Sequence, residues 1–317
     1  CRCHSGCWPQ QGSEERPCLR RLHGHLLGHE VLSLFIRRDG RIIWQRTAHE
    51  ELPHEGTHPP GSWASNSPVT DGEHVYAYFG SRGLYSFDMH GNLQWEKDFG
   101  DMTIKLGFGE GSSPTLYGEV VIVNWDHEGD SFITALDKKT GKERWRIARD
   151  ERTSWATPIV VEHDGKLQVI TSATHRTRSY DLATGNLIWE CGGMTDNTIP
   201  SPVAGDGMVY IMSGFRGNAL QAIRLADASG DISPERSEGS EAIVWAHDRD
   251  TPYVPSPLLY GDTLYFLKSN NGILSCFNAK TGEAYYGPQR LDGIREVYAS
   301  PVGASNRVYI VDRDGAT

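Results

Sequence analysis

Short apolar runs alternate with polar turns along most of the chain. Val75 to Phe79 (VYAYF), Val120 to Val123 (VVIV), Val209 to Met212 (VYIM) and Leu264 to Leu267 (LYFL) are rich in β-branched and aromatic residues and bounded by Gly and Asp. Runs this short, with that composition and those punctuators, predict strands rather than helices. The setting of each run repeats as well. Ser or Thr precedes Pro, then come an apolar run, a Gly turn, a β-branched run, a polar loop, a further apolar run closing on Asp or Asn, a Thr-Gly turn, and a Trp. The pattern is fullest from Ser113 to Trp145, SPTLYGEVVIVNWDHEGDSFITALDKKTGKERW, and returns from Ser67 to Trp95 and from Thr157 to Trp189. Further copies open at Ser201, Ser256 and Ser300.

The prolines of these steps, at 68, 114, 158, 202, 257 and 301, stand 46, 44, 44, 55 and 44 residues apart. A period of that size marks an array or a propeller. Each copy holds four short strands, with Pro at the start of the first, where a missing N–H is tolerated. Gly141, Gly185 and Gly282 sit where the outer hairpins DKKTGKERW, DLATGNLIW and NAKTGEAYY need a positive φ. The expected fold is therefore all-β, a β-propeller of four-stranded antiparallel blades.

The recurring SPV…VY…D-x-x-TG-x-x-x-W pattern resembles the pyrroloquinoline-quinone (PQQ) repeat of bacterial β-propellers. That family includes quinoprotein dehydrogenases and the propeller lipoprotein of the outer-membrane assembly machinery. The resemblance runs from about residue 30 to 317 and is closest to uncharacterised bacterial members, through stretches such as GFGEGSSP, NWDHEGDSFITALDKKTGKERW and HDRDTPYVPSPLLYG. It implies an eight-bladed-type family of exported, periplasmic proteins.

Residues 29–317 read as a single propeller domain, and residues 1–28 as a disordered leader outside the repeat. The leader holds four of the six cysteines, with His4, His23 and His25, in spacings that match no zinc or haem pattern. By family analogy alone, a lipoprotein maturing at Cys1 is a further reading. Residues 30–46 supply the outer two strands of a blade ending at Trp44, and Ser300 to Asp312 an inner pair. The expectation is about six to seven blades with truncation at both ends; the alternative is one composite blade made from the two halves. Ala226 to Glu241 (ADASGDISPERSEGSE) replaces a Thr-Gly turn and reads as a surface loop.

Composition narrows the function. The net charge of -10, with no basic stripe, argues against nucleic acid. Mean hydropathy is -0.48, and no apolar run reaches membrane length. Strand direction then brings the links before each Ser/Thr-Pro and the loops between second and third strands to one face. The links carry Trp63, Glu110, Trp155, Asn197, Asp250, Tyr253 and Tyr298. The loops carry Arg82, Asp126, His127, Arg178, Arg216, Asn218, Lys268 and Arg313. Arg82, Arg178, Arg216, Lys268 and Arg313 form a candidate ring of cations for a small anionic ligand or an acidic peptide at the channel mouth, with aromatics as an apolar platform. The same charges read equally as pairs to neighbouring acids.

Asp126, His127, Glu128 and Asp130 invite a Ca²⁺ or general-base role, against which stands a salt-bridged loop. The Trp residues at 44, 95, 145, 189 and 245 read as inter-blade packing. No nucleophile elbow, P-loop or zinc-protease signature is present. The expectation is a non-catalytic binding or scaffold module for a protein or small anionic ligand, with no cofactor. The alternatives are a PQQ- and Ca²⁺-dependent quinoprotein dehydrogenase, or a propeller fragment of a larger multidomain protein. For the dehydrogenase the resemblance implies an Asp base and a disulfide of neighbouring cysteines stacked on the quinone. Glu110, Asn197, Trp155 and Asp250 offer ligand, ligand, stacker and base by residue type, whereas the repeats hold only Cys191 and Cys276, which are not adjacent.

Overall fold

A computed structural model describes residues 17–24, 29–36, 41–59, 61–63, 65–234 and 240–317. The chain divides into two compact units, residues 1–149 and 150–317. In the first, β1 (Pro17–Gly24), β2 (His29–Ile36) and β3 (Ile42–Glu50) form a three-stranded sheet. Two four-stranded sheets follow: β4 (Val69–Thr70), β5 (His74–Tyr78), β6 (Leu84–Asp88) and β7 (Leu93–Lys97), then β8 (Thr115–Tyr117), β9 (Val120–Trp125), β10 (Ser131–Asp137) and β11 (Glu143–Arg149).

The second unit opens with β12 (Ile159–His163), β13 (Lys166–Thr171), β14 (Thr177–Asp181) and β15 (Leu187–Cys191). The next sheet has β16 (Val203–Gly205), β17 (Met208–Ser213), β18 (Ala219–Arg224) and β20 (Ile243–His247), with β19 (Gly230–Asp231) leaving it to join β15. Then come β21 (Leu258–Tyr260), β22 (Thr263–Leu267), β23 (Ile273–Asn278) and β24 (Ala284–Arg290), and finally the pair β25 (Val302–Ala304) and β26 (Arg307–Tyr309). Apart from the parallel β19, the strands of each sheet form an antiparallel meander in chain order. No helix among the described residues is long and apolar enough to cross a membrane.

Of the stretch expected as a leader, Pro17–Gly24 pairs with β2 along its whole length. Residues 1–16 and 25–28 lie outside the described residues.

Burial explains the composition of the runs. Every residue of β9 and β17 is buried, so their sequences read as unbroken apolar runs. The fourth strands alternate or are exposed, and β24 is exposed throughout. Each core accordingly lies between successive sheets. Two examples are typical: Trp44 packs on Val75, Ala77, Tyr85 and Phe87, while Met208, Tyr210 and Met212 meet Leu264, Phe266 and Phe277.

Two joints recur between sheets. First strands of successive sheets lie side by side within each unit, β4 by β8 and β16 by β21. The hydroxyl of the Ser-Pro serine closes the gap between them. Ser67 N–H donates to Ser113 Oγ at 2.8 Å. Thr157 N–H donates to Ser201 Oγ, Ser201 N–H to Ser256 Oγ and Ser256 N–H to Ser300 Oγ, each at 3.0 Å.

The second joint is made by the closing Trp, which lies on the turn glycine of the next sheet. Trp44 covers Gly91, Trp95 covers Gly141 and Trp245 covers Gly282, and a Cβ at any of these glycines would come within 2.6–2.8 Å of the indole. The indole N–H then donates to a turn carbonyl, that of Met89, Lys138 or Ala279. Gly141 has φ 68°, so the turn and the Trp both demand glycine there.

Trp189 departs from this rule. The turn it would meet is replaced by the insertion at 226–241, and the fully buried Trp189 donates to Gln168 Oε1 at 3.2 Å instead. Gly230–Asp231 pairs in parallel with Trp189–Glu190 and adds a fifth strand to the sheet. Ile232 joins the core there at 3 % exposure. The insertion is therefore not only the surface loop expected of it: its first part packs on the preceding sheet, because Ile232 supplies an apolar anchor within a polar run. Residues 235–239 lie outside the described residues.

Candidate functional site

Within each unit the links between sheets and the loops between second and third strands meet, and they are bonded to each other. Link 98–114 threads between two loops. Met102 N–H donates to Ser81 Oγ at 2.8 Å on one side, and Thr103 N–H donates to His127 Nδ1 at 3.0 Å on the other. Link 248–257 does the same: Thr251 binds Asn218 Oδ1 and the Ser213 carbonyl, while Val254 N–H donates to Asn270 Oδ1 at 3.0 Å. In link 192–202, Thr195 N–H donates to Ser213 Oγ at 2.8 Å.

In the first unit Trp63, Arg82 and Glu110 line one small cleft, together with His54, Glu55, Phe79 and Ile104. Gly80 to Arg82 form a single 3₁₀ turn whose N-terminal side faces Glu110. Ser81 N–H donates to Glu110 Oε2 at 2.7 Å, and the Ser81 hydroxyl donates to Oε1. A side chain at Gly80 would strike that carboxylate, so glycine is what lets the turn close over it. Desolvation holds the Glu110 carboxyl above the ordinary carboxylate range, against the lowering pull of Ser81, His54 and Arg82. Arg82 is itself engaged: it donates to Asp101 at 2.9 Å and to the Leu52 carbonyl at 3.3 Å, with Glu51 at 3.6 Å. Trp63 donates its indole N–H to the Glu55 carbonyl at 2.9 Å.

Asp126 and His127 sit in the next loop, and both are buried. Asp126 takes Arg149 in a bidentate pair, 2.8 and 3.1 Å, with both side chains fully enclosed. His127 braces the link through Thr103, edge-on to Trp125. Glu128 and Asp130 are exposed and do not share this enclosure. Among the described residues no group of three His, Cys, Asp or Glu is arranged to hold a metal ion.

In the second unit Arg178 is 8 % exposed at its side chain and meets three carboxylates: Asp150 at 2.5 Å, Glu190 at 2.9 Å and Glu151 at 3.1 Å. Burial pushes the Asp150 carboxyl up, but Arg178, a backbone N–H and His175 together hold the group below its usual range. Arg176 extends the network to Glu190 at 3.2 Å and to Asp231 of the insertion at 3.1 Å. Trp155, half-buried, is tied by its backbone N–H to the Thr198 carbonyl.

Around the next loop, Phe215 and Tyr253 stack with centroids 4.9 Å apart, and the exposed Arg216 lies over Phe215 at 5.2 Å. Asn218 accepts from Thr251, and Lys268 pairs with Asp250 at 2.7 Å. Tyr298 lies under Arg313, which pairs with Glu296 at 2.8 Å. Asn197 is buried with φ 55°, beside Tyr253, and neither polar atom of its amide has a hydrogen-bond partner of regular geometry among the described residues. Burial pushes the Tyr253 hydroxyl up, with Asn197 pulling the other way and Tyr298 adding to the rise.

The candidates are therefore brought together in local sets. Trp63, Arg82 and Glu110 share a cleft; Arg216, Asn218 and Tyr253 surround one loop. Of the five cations expected as a ring, Arg82, Arg178, Lys268 and Arg313 are each paired to carboxylates of this chain. Sequence reasoning missed those partners, Asp101, Glu151, Glu190 and Glu296, and also Arg149. A signal existed in the spacing of four of these pairs, Arg82 with Asp101, Arg178 with Glu151, Asp126 with Arg149 and Arg313 with Glu296, which lie 17 to 27 residues apart, whereas Glu190 lies only 12 from Arg178 on the paired strand.

A family model described as outer membrane protein assembly factor BamB matches residues 129–317. Among solved structures, BamB from Moraxella catarrhalis is similar with a TM-score of 0.61 at 14% identity, covering 91% of this chain and 80% of that one. A computationally designed protein, Ika8, gives 0.53 at 11% identity, covering 93% of each. A europium-containing methanol dehydrogenase gives 0.46 at 10% identity, covering 91% of this chain and 79% of that one. No curated protein matches by sequence. The sheets described above are thus the blades of a β-propeller fold.

Proposed function

The chain belongs to the BamB family of PQQ-repeat β-propellers, and from that premise we propose that it is a non-catalytic scaffold whose link-side loops hold a protein partner in the cell envelope, on the periplasmic side. The observation that supports this reading above others is the bonding of links into loops. Side chains that would have to converge on a reacting centre are spent on neighbours: Glu110 on Ser81, Asp126 on Arg149, Asp250 on Lys268. A surface fixed in this way is preorganised, which lowers the ordering cost of binding a large partner. A small anion fits less well, because it would have to displace carboxylates already seated on Arg82, Arg178 and Lys268.

In this reading neither PQQ nor Ca²⁺ is required. The quinone site implied by resemblance needs neighbouring cysteines, and the residues present do not fit it. Cys191 lies on β15 and Cys276 on β23, both buried, in different blades. Cys191 is pushed up to about 12 by burial and donates to Gln221.

Two measurements test the proposal. Titration with PQQ and Ca²⁺, followed by absorbance and by dye-linked alcohol oxidation, should give neither saturation nor turnover; both together would overturn it. Photo-crosslinking residues placed at Arg216 and Lys105 on the link side, and at Lys139 and Thr184 on the turn side, should give discrete protein adducts in envelope extract from the link side alone. Equal yields from both sides, or none from either, would count against a link-side scaffold.

A further inference from the structure

Leu106 and Leu52 are the two most exposed large apolar side chains among the described residues, at 81 % and 77 %. Singly exposed leucines are ordinary. These two lie on neighbouring straps of the first unit, bonded along their length. His54 Nε2 donates to the Met102 carbonyl at 2.7 Å, and Ile104 N–H donates to Glu55 Oε2 at 3.0 Å. A Cβ on Gly107 would lie 3.9 Å from the Gly56 carbonyl, so Leu106 stands near the far end of the strap that begins at Leu52. Gly56 is four residue steps from Leu52, a span of at most about 14 Å.

The backbone at Leu106 is unusual. It has φ 55° and ψ 21°, the left-handed region that leucine enters only at a cost. The turn is held there from both sides, Gly107 N–H donating to Ile104 and Phe108 N–H to Lys105, with His58 edge-on to Phe108. A strained turn is thus fixed so as to carry an apolar side chain into solvent. The two straps are acidic in sequence, with Glu50, Glu51 and Glu55 on one and Asp98 and Asp101 on the other against Lys105, and Glu55 reaches the turn itself by accepting from Ile104 N–H. The nearby Arg82 is already engaged by Asp101 and Glu51.

We infer that Leu52 and Leu106 are the apolar anchors of a docking patch for a basic amphipathic segment of a protein partner. This rests on the scaffold reading and gives it a place and a charge. Complementarity selects the occupant: apolar side chains cover the leucines, and cations meet the carboxylates of the two straps. An acidic segment would face like charge along both.

The test uses a labelled 14-residue amphipathic peptide of leucine and lysine, and its leucine and glutamate counterpart, in anisotropy titrations against the whole chain. Leu52→Asp combined with Leu106→Asp should weaken the lysine peptide at least about tenfold with no change in Tm. Leu106→Gly should also weaken it, while Tm holds or rises, because glycine accepts the left-handed turn. Leu93→Asp, on an outer strand, should leave binding unchanged. Lysine-peptide binding that is indifferent to both leucine changes, or equal binding of the glutamate peptide, would overturn the patch. Link-side crosslinks that persist beside such a result would leave the scaffold itself standing. Absent crosslinks would remove the scaffold while the leucine dependence is read independently.

Discussion

The two ends of each blade are built on opposite plans. At the turn end one solution is repeated: a Trp from one blade lies on the turn glycine of the next and donates to its carbonyl, at Trp44, Trp95 and Trp245 alike. At the link end, beyond the shared serine relay, each contact of link with loop is solved separately, by Glu110 on Ser81, by Asp126 on Arg149, by three carboxylates on Arg178, by Thr251 on Asn218. Repetition marks what the fold requires of every copy. Variety marks where individual loops are free to take up recognition.

If that contrast is right, the link end carries both the costliest and the cheapest changes, and the turn end a uniform one. Arg178→Ala leaves the fully buried Glu151 carboxylate without its guanidinium, while Glu190 keeps Arg176, and should cost about 3–5 kcal/mol in denaturant unfolding. A loss below about 1 kcal/mol would show the network to be open to solvent. At the turn end, Gly141→Ala combines left-handed backbone with a clash against Trp95 and should cost about 2–3 kcal/mol. Gly72→Ala has φ 89° but open space around it and should cost only about 1 kcal/mol. Equal losses at the two glycines would mean that the indole contact adds nothing.

A smaller effect is expected from Glu110→Gln, read as a function of pH. The folded chain holds this carboxyl above its unfolded value, so its protonated form is the one that folding favours. The contribution is complete below the ordinary carboxylate range and is lost as pH rises through the elevated folded value. Stability of the wild type relative to Glu110→Gln should therefore fall as pH rises from about 4 into the neutral range. A difference that rises with pH, or stays flat, would place the ionised form in the folded chain. Smallest of all, Lys268→Ala breaks an exposed pair with Asp250 and should change stability by no more than about 1 kcal/mol.

Legibility in the sequence follows the same division. Blade period, strand order and the Trp and Thr-Gly positions were open to reading because each is written several times in the chain, and repetition averages out local noise. The Ser-Pro step was readable as a strand start, but not as a hydrogen-bonded joint, because the amide it serves belongs to another copy some 44 to 55 residues away. The charges of the link end were legible as residues and not as pairs. Arg178 looks like a loop cation until Asp150 and Glu151 are brought to it from the preceding link. Leu106 left no trace, since a leucine in sequence signals a core and only the left-handed turn turns it outward. The insertion held one clue, Ile232 among polar neighbours.

The serine relay between first strands has a consequence for how such chains change over generations. Donor and acceptor at each junction come from the same position of successive copies, so a junction does not distinguish one copy from another. Duplicating or deleting a whole unit regenerates the same contact at the new boundary. Copy number can drift by gene rearrangement without any compensating substitution at the inner seam, while the individually fitted loops at the rim inherit the burden of staying distinct.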